Sequence, residues 1–223
     1  GINTSDFPEV PTKVIRESIR INSSEFSLGL SKVLFSTSPD DTRPALAGVL
    51  LVFSHNTLTL VSSDGFRLSK VSIPMPGSLL EDKLILPKLA VTEIAKLISK
   101  ESKEFSLSYD RDQAQVIFDL GEYVISSRII EGEYPNFEKI IPQSFSSQVS
   151  IDKNTLLKHI KTAAVFARDG SGIINLEVES SEIIINAESN KLGTHKSRVR
   201  AKVEGDKVEI SYNYRYIEEF LSV

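Results

Sequence analysis

One pattern is written twice in this chain. A short alternating run, Ile19-Arg20-Ile21, leads into apolar positions spaced for one helical face, Phe26, Leu30, Val33 and Leu34. Two strand-like runs follow, Val49 to Phe53 and Thr57 to Val61. The order then restarts. Val149-Ser150-Ile151 leads into an apolar stripe at Leu156, Leu157, Ile160, Ala163 and Ala164, and then into runs at Ile173 to Val178 and Ile183 to Ala187. Alternation marks half-buried strands, and apolar steps of three and four mark helices. Three anchors align the copies. Ile19-Arg20-Ile21 matches Val149-Ser150-Ile151, Gly48-Val49-Leu50 matches Gly172-Ile173-Ile174, and Leu58-Thr59-Leu60 matches Ile183-Ile184-Ile185. A repeat this widely spaced is a repeat of whole domains, so the chain holds related domains in tandem.

The rest of the pattern sets expected boundaries. Residues 1–12 read as a linker, and Lys13 to Ile21 alternates as a strand. Ser23 or Ser24 is expected to cap the first helix, and Ser38-Pro39-Asp40-Asp41 to end it. The gap Ser54-His55-Asn56 between the two runs predicts a hairpin. Leu84, Ile85 and Leu86 lead into Pro87 at a helix start, with Val91, Ile94, Ala95 and Ile98 as that helix's apolar face. Strands are predicted at Phe105 to Tyr109, Gln115 to Asp119 and Tyr123 to Ile129, with a Pro-bounded connection over Gly132 to Pro142. In the second copy Asp152 is the expected cap. Val208-Glu209-Ile210 reads as a strand, and Tyr214 to Leu221 as a helix with Tyr216, Ile217 and Phe220 apolar. The expected domains are 13–143 and 147–223, the second ending early by comparison with the first. One loop differs between copies: Ser36 to Ala47 is longer than Ala167 to Ser171, which suggests a task beyond folding.

Composition narrows the chemistry. Of 223 residues 40% are hydrophobic and 25% charged, the balance of a globular protein. There is no cysteine, which removes disulfides, thiolate catalysis and cysteine-bound zinc. No apolar run approaches the ~20 residues that span a bilayer. The net charge of −4 argues against a tight grip on phosphates, but it leaves room for a locally basic lining. His55, His159 and His195 lack partners at metal-ligand spacing, and no phosphate loop, nucleophile elbow or dinucleotide fingerprint occurs. Asp40-Asp41 reads as turn chemistry. Lys88, Lys96, Lys100 and Lys103 cluster in or beside one helix, either as a solvated face or as a face toward phosphates.

Two stretches carry a family resemblance. Asp41-Thr42-Arg43-Pro44-Ala45-Leu46-Ala47-Gly48-Val49-Leu50 is followed by Leu58-Thr59-Leu60-Val61-Ser62-Ser63-Asp64-Gly65-Phe66-Arg67-Leu68. The pair resembles the middle domain of the bacterial DNA polymerase sliding clamp, where a D-x-R-x-x-L-x-G-x-L segment precedes a T/S-D-G-[HYF]-R-L turn. Ser127-Arg128-Ile129-Ile130-Glu131-Gly132-Glu133-Tyr134-Pro135-Asn136-Phe137 is similar to a further family segment. So is Asn213-Tyr214-Arg215-Tyr216, with Tyr212 standing where the family has Phe. The likeness runs collinearly over nearly the whole chain.

This resemblance implies an α+β clamp fold, tandem domains with helices on one face of antiparallel sheets. It also implies a homodimeric ring around duplex DNA, with helices lining the hole. The chain would then hold the middle domain and about half of the third, in a cytoplasmic protein without catalytic residues, metal or cofactor. A pocket between the middle and third domains would take short linear motifs from polymerase, clamp loader and repair proteins. The matching positions are Leu46, Ser63, Gly65, Phe66, Arg67, Leu68, Pro135, Lys139 and Ile140. Lys139 stands where Arg is frequent, and Phe66 where His or Tyr is frequent. Arg43, Lys88 and Lys96 match DNA-facing positions, and Val165 and Phe166 match a subunit interface. The competing expectation is a β-rich interaction module that never meets DNA. A distant third is an enzyme built on Asp40, Asp41 and a histidine.

Overall fold

A computed structural model describes residues 18–98 and 103–223. The expected linker at 1–12, most of the strand expected from Lys13, and Lys100 lie outside the described residues. The chain divides into two compact units, residues 1–136 and 137–223, and each is described by itself.

In the first unit, β1 (Ile19–Asn22) leads into α1 (Ser23–Val33). The cap is Asn22, not Ser23 or Ser24. Asn22 is the last extended residue, and its side chain accepts from the Glu25 amide at 3.0 Å. Ser23 instead lies buried inside the first turn. The apolar stripe behaves as its spacing predicts: Phe26, Leu30 and Val33 are fully buried. Gly29 lets the helix approach β3 (Thr57–Ser63), since a Cβ there would stand 2.8 Å from Leu60.

The hairpin of β2 (Gly48–Ser54) and β3 turns through Asn56, which sits at φ 59. The sequence pattern missed the next strand, β4 (Leu68–Pro74), whose alternation includes only Val71 and Ile73 as inward apolar side chains. With β5 (Asp82–Pro87) these strands form a sheet in the order β4-β3-β2-β5. Pro87 is the extended cap of α2 (Lys88–Leu97) rather than its first helical residue. A second sheet, β1-β6-β7-β8, adds β6 (Glu104–Asp110), β7 (Gln115–Asp119) and β8 (Val124–Arg128). One core joins both sheets and both helices, with the Phe26 and Phe105 rings 5.2 Å apart and Phe118 beside them. Beyond β8 the Ile130 amide donates to the Ile85 carbonyl at 2.8 Å, tying the chain back to the first sheet.

In the second unit, β9 (Ser147–Ser150) precedes α3 (Lys153–Ala167), capped by Asp152 as expected, with 2.8 Å to the Thr155 amide. A sheet β12-β11-β10-β14 is built from β10 (Ile173–Val178), β11 (Glu182–Ser189), β12 (Gly193–Arg200) and β14 (Val208–Asn213). β13 (Lys202–Gly205) pairs with β9 as a ribbon. The pattern missed β12 and β13 because their outward residues are charged and few inward ones are apolar. α4 (Tyr214–Ser222) buries Tyr214 and Leu221. Phe220, assigned to its apolar face, is 63% exposed, and Tyr216 and Ile217 are half-buried.

The sheet orders of the two units correspond strand for strand, but one anchor of the repeat is a residue out of step. Gly48 pairs with Pro87 just before α2, and Ile173 pairs with Asn213 just before α4. Val49 therefore corresponds to Ile174, not Ile173. Val49 and Ile174 are buried and Ile173 is 41% exposed, because a one-residue slip in a strand exchanges its faces.

Candidate partner-binding site

The turn between β3 and β4 is built from its own polar groups. Ser63 Oγ donates to the Arg67 carbonyl at 2.8 Å and accepts from the Gly65 amide at 3.1 Å. Asp64 Oδ1 accepts from the amides of Phe66 and Arg67, at 2.9 and 3.0 Å, while Oδ2 takes the Arg67 Nε at 2.9 Å. Arg67 also donates to the Phe35 carbonyl at 2.6 Å and lies over the Phe35 ring. The Arg67 and Asp64 side chains are only 18% and 9% exposed, so this charge-assisted pair holds the turn in one shape. Gly65 supplies the positive φ of 92° that the turn requires. The result is a fixed loop that carries Phe66 into solvent, 83% exposed.

Leu46, in the long loop before β2, and Leu68, the first residue of β4, are half-buried. The long loop before β2 is pinned by Ser38 N to the Leu46 carbonyl at 2.8 Å and by Leu46 N to the Arg43 carbonyl at 2.9 Å. Ser36 and Ser69 share a hydroxyl hydrogen bond of 2.7 Å, which fastens the start of the loop to the start of β4. Arg43 reaches the turn as well: its Nη1 is 3.4 Å from where a Cβ on Gly65 would stand.

Tyr134, next to Pro135, is the site residue that the motif reading passed over. Its hydroxyl is buried near Ser63 and Asp64 without a well-formed hydrogen bond. Burial pushes its pKa up to about 12, the Asp64 carboxylate adds to the rise, and the Ser63 backbone offsets part of it. Pro135 is exposed. In the second unit, Lys139 and Ile140 end a short 3-10 helix, Phe137–Ile140, and Ile140 is 67% exposed.

The expected DNA-facing cations differ among themselves. Arg43 is exposed and 4.0 Å from Asp40, Lys96 is paired with Glu93 at 2.7 Å, and Lys88 is exposed with no carboxylate partner among the described residues. A second cationic face was not anticipated. α3 has no acidic residue from Lys153 to Arg168, and Lys158, Lys161 and Arg168 occupy its solvent side with Val165. Their spacing of three and seven was legible in the sequence, beneath the apolar stripe that drew attention first. Val165 is 54% exposed, while Phe166 is half-buried and stacks on His195 with centroids 5.2 Å apart.

Among the described residues, no three histidine, aspartate or glutamate side chains converge as a metal site. Asp40 accepts from Thr42 through its amide at 2.9 Å and its hydroxyl at 2.7 Å, and His55 meets Glu81 at 2.8 Å. Among the described residues no helix is long and apolar enough to cross a membrane.

Comparison with known proteins decides the family. Residues 20–136 match the DNA polymerase III beta subunit, central domain, and residues 138–223 match its C-terminal domain. The chain belongs to the DNA polymerase III beta subunit family. It is 29% identical over 225 residues to the beta sliding clamp of Synechococcus elongatus, covering 99% of this chain and 60% of that protein. It is 26% identical over 223 residues to the beta sliding clamp of Staphylococcus aureus, covering 99% of this chain and 59% of that one. The chain thus spans about 60% of the length of these relatives. The solved DNA polymerase sliding clamp of Bacillus subtilis superposes with a TM-score of 0.92 at 22% identity, over 99% of this chain and 59% of that one. The DNA polymerase III beta chain of Streptococcus pneumoniae gives 0.92 at 20% identity, over 100% and 59%. The expected α+β clamp fold is therefore the fold of this beta subunit homologue.

Proposed function

We propose that this beta subunit homologue acts as a non-enzymatic processivity factor, part of a dimeric cytoplasmic ring that encircles duplex DNA. In this reading it tethers polymerase, clamp loader and repair proteins through short linear motifs. The observation that carries the reading is the β3–β4 turn. A nearly buried Asp64–Arg67 pair fixes a loop whose tip residue, Phe66, is left in solvent. A loop held this firmly and capped by an unpaired aromatic is a ready anchor surface. Leu46, Leu68 and Pro135 supply apolar wall, and Ser63, Gly65 and Arg67 supply polar and backbone groups that orient a bound motif. Lys139 and Ile140 are proposed to read the same motif. The DNA-facing role goes to Arg43, Lys88 and Lys96, to which the α3 cations Lys158, Lys161 and Arg168 are added. Contacts of this kind address phosphates and carry no sequence information. Topological linkage by a ring makes tight binding unnecessary, which reconciles a DNA role with the net charge of −4.

The test is an NMR titration of the 223-residue chain with a short peptide bearing a Gln and a Leu-Phe end. Expected are amide shifts at Leu46, Gly65 to Leu68, Pro135 and Ile140, lost in Phe66→Ala and in a folded Leu68→Asp variant. Shifts elsewhere, or an unchanged response in both variants, remove the motif-binding claim.

A further inference from the structure

Three times the chain leaves the outermost strand of a four-stranded sheet, and twice it closes on an open strand edge nearby. After β12 it runs as β13 along β9, the strand that leads into α3. After β8 the Ile130 amide donates to the Ile85 carbonyl on β5, at the edge of its sheet. After β4 it does not close on β1, the strand that leads into α1. β1 is the edge of the sheet β1-β6-β7-β8, and among the described residues no strand lies on its other side. Pro74 and Pro76 lack the amides that such a ladder needs. The loop after β4 is pinned to the β2–β3 hairpin instead: the Met75 amide donates to the Asn56 carbonyl at 2.7 Å, and the Gly77 amide to the Asn56 side chain at 2.8 Å.

Where the closing segment would lie there is a cleft of about 1580 Å³ along β1. Pockets for small molecules measure roughly 300–1,000 Å³, so this one has room for a stretch of chain. Its apolar side chains are Met75, buried, Ile19 and Leu80, half-buried, and Leu79, which the pinned loop leaves 76% exposed. Among its charged residues Glu25, Asp82, Glu104 and Asp112 outnumber Arg20 and Arg111. Arg111 is already taken up by Asp82, which also accepts from the Tyr109 hydroxyl. Glu25 and Asp112 meet no cation among the described residues.

We propose that the open edge of β1 docks an extended basic segment of another polypeptide, which takes the place beside β1 that β13 takes beside β9. The β1 backbone supplies the pairing groups, Leu79 and Ile19 receive aliphatic side chains, and the surplus carboxylates select lysine or arginine. A second copy of β1 is a poor occupant, because the strand against itself brings Arg20 toward Arg20. The inference goes beyond the clamp reading and does not depend on it. Asn22 and Glu25 put the cleft at the N-terminal end of α1, whereas the β3–β4 turn reaches Phe35, past its C-terminal end.

The test is amide hydrogen exchange of the 223-residue chain. The probes are the peptide Lys-Thr-Val-Thr-Val-Thr-Lys and the same peptide with Glu for Lys. The lysine peptide is expected to slow exchange roughly tenfold at those amides of Ile19 to Asn22 that do not bond β6, while the glutamate peptide does not. Leu79→Ser, a change at an exposed side chain, should remove the effect without unfolding the chain. Glu25→Lys with Asp112→Lys should transfer the preference to the glutamate peptide. No slowing at saturating lysine peptide, or equal slowing by both peptides, would overturn the proposal. So would protection that rises with protein concentration and needs no peptide, since the occupant is then a second copy. A failed Gln and Leu-Phe titration bears on the β3–β4 turn and leaves this result unaffected.

Discussion

The two units lay four strands in the same order and then use the corresponding turn differently. In the first unit, Arg67 and Asp64 close the β3–β4 turn from inside, 18% and 9% exposed, and Arg67 reaches the Phe35 carbonyl after α1. In the second, Lys191 ties the β11–β12 turn to Asp169 after α3 at 3.2 Å, but these side chains are 79% and 32% exposed. Ser63 and Ser189 play the same part, each accepting from the amide two residues on, at 3.1 Å in both cases. One device thus exists in a desolvated and a solvated form. The desolvated form resists motion because an open state would leave a charge poorly satisfied, and that is what a preformed binding surface needs.

The cores differ in the same direction. Leu86 and Leu84 on β5 are almost wholly buried, whereas Tyr212 and Ile210, their counterparts on β14, are 40% and 39% exposed. In the first unit the sheet containing Phe105, Leu107 and Phe118 closes over that face. The largest effect should therefore separate these positions. Leu86→Ala should cost about 2–5 kcal/mol, and Tyr212→Ala about 1 kcal/mol, because its ring is only partly removed from water. Urea unfolding followed through amide signals of each unit measures both, and equal losses would break the comparison. Next in size are the turns. Arg67→Ala should cost about 2–3 kcal/mol by stranding Asp64 and the Phe35 carbonyl. Lys191→Ala should stay within about 0.5 kcal/mol, as for exposed pairs generally. An Arg67→Ala variant as stable as Lys191→Ala would show that burial of the pair contributes nothing.

What the sequence disclosed follows from these contrasts. Helices with apolar steps of three and four, and strands whose inward residues are Leu, Ile or Val, were legible, including both halves of the repeat. β4, β12 and β13 were not, because edge and ribbon strands carry too few apolar side chains to show a period. The caps failed at Asn22 and held at Asp152: two serines beside Asn22 offered competing hydroxyls, and only the backbone angles decide among them. Of the site, the motifs supplied Leu46, Ser63 to Leu68 and Pro135 as positions. They did not disclose that Asp64 closes the turn, since that depends on Phe35 being brought up from a separate segment. Tyr134 was passed over because its burial against Ser63 and Asp64 joins residues about seventy positions apart, as roughly a domain's length of chain folds back on itself.

The smallest expected difference lies in how acid weakens each unit. In the first, burial raises the Asp82 pKa, but hydrogen bonds from Arg111 and Tyr109 more than offset this and leave it below its ordinary value of 3.8. A carboxyl lowered on folding contributes stability above its unfolded pKa and loses it as pH falls through the folded one, so this contribution fades only in strong acid. In the second unit, burial and then the neighbouring His159 lower His195 below 6.5. His159 is the titratable group facing it from α3, and its partner on β11 is the uncharged Ala187. On its own strand, Lys196 and Arg198 project to the opposite face. Nε2 is buried without a hydrogen-bond partner, under the stacked Phe166. A base that resists protonation when folded contributes stability above its unfolded pKa, lost as pH falls through 6.5 toward its lower folded value. The second unit should therefore soften first, between neutral and mildly acidic pH, while the first holds. His195→Gln should flatten that limb by removing the titrating ring, and Asp82→Asn should change only the more acidic one. Amide exchange of the two units measured at pH 7 and pH 5 gives the answer, and a His195→Gln profile parallel to that of the unaltered chain would sink the assignment.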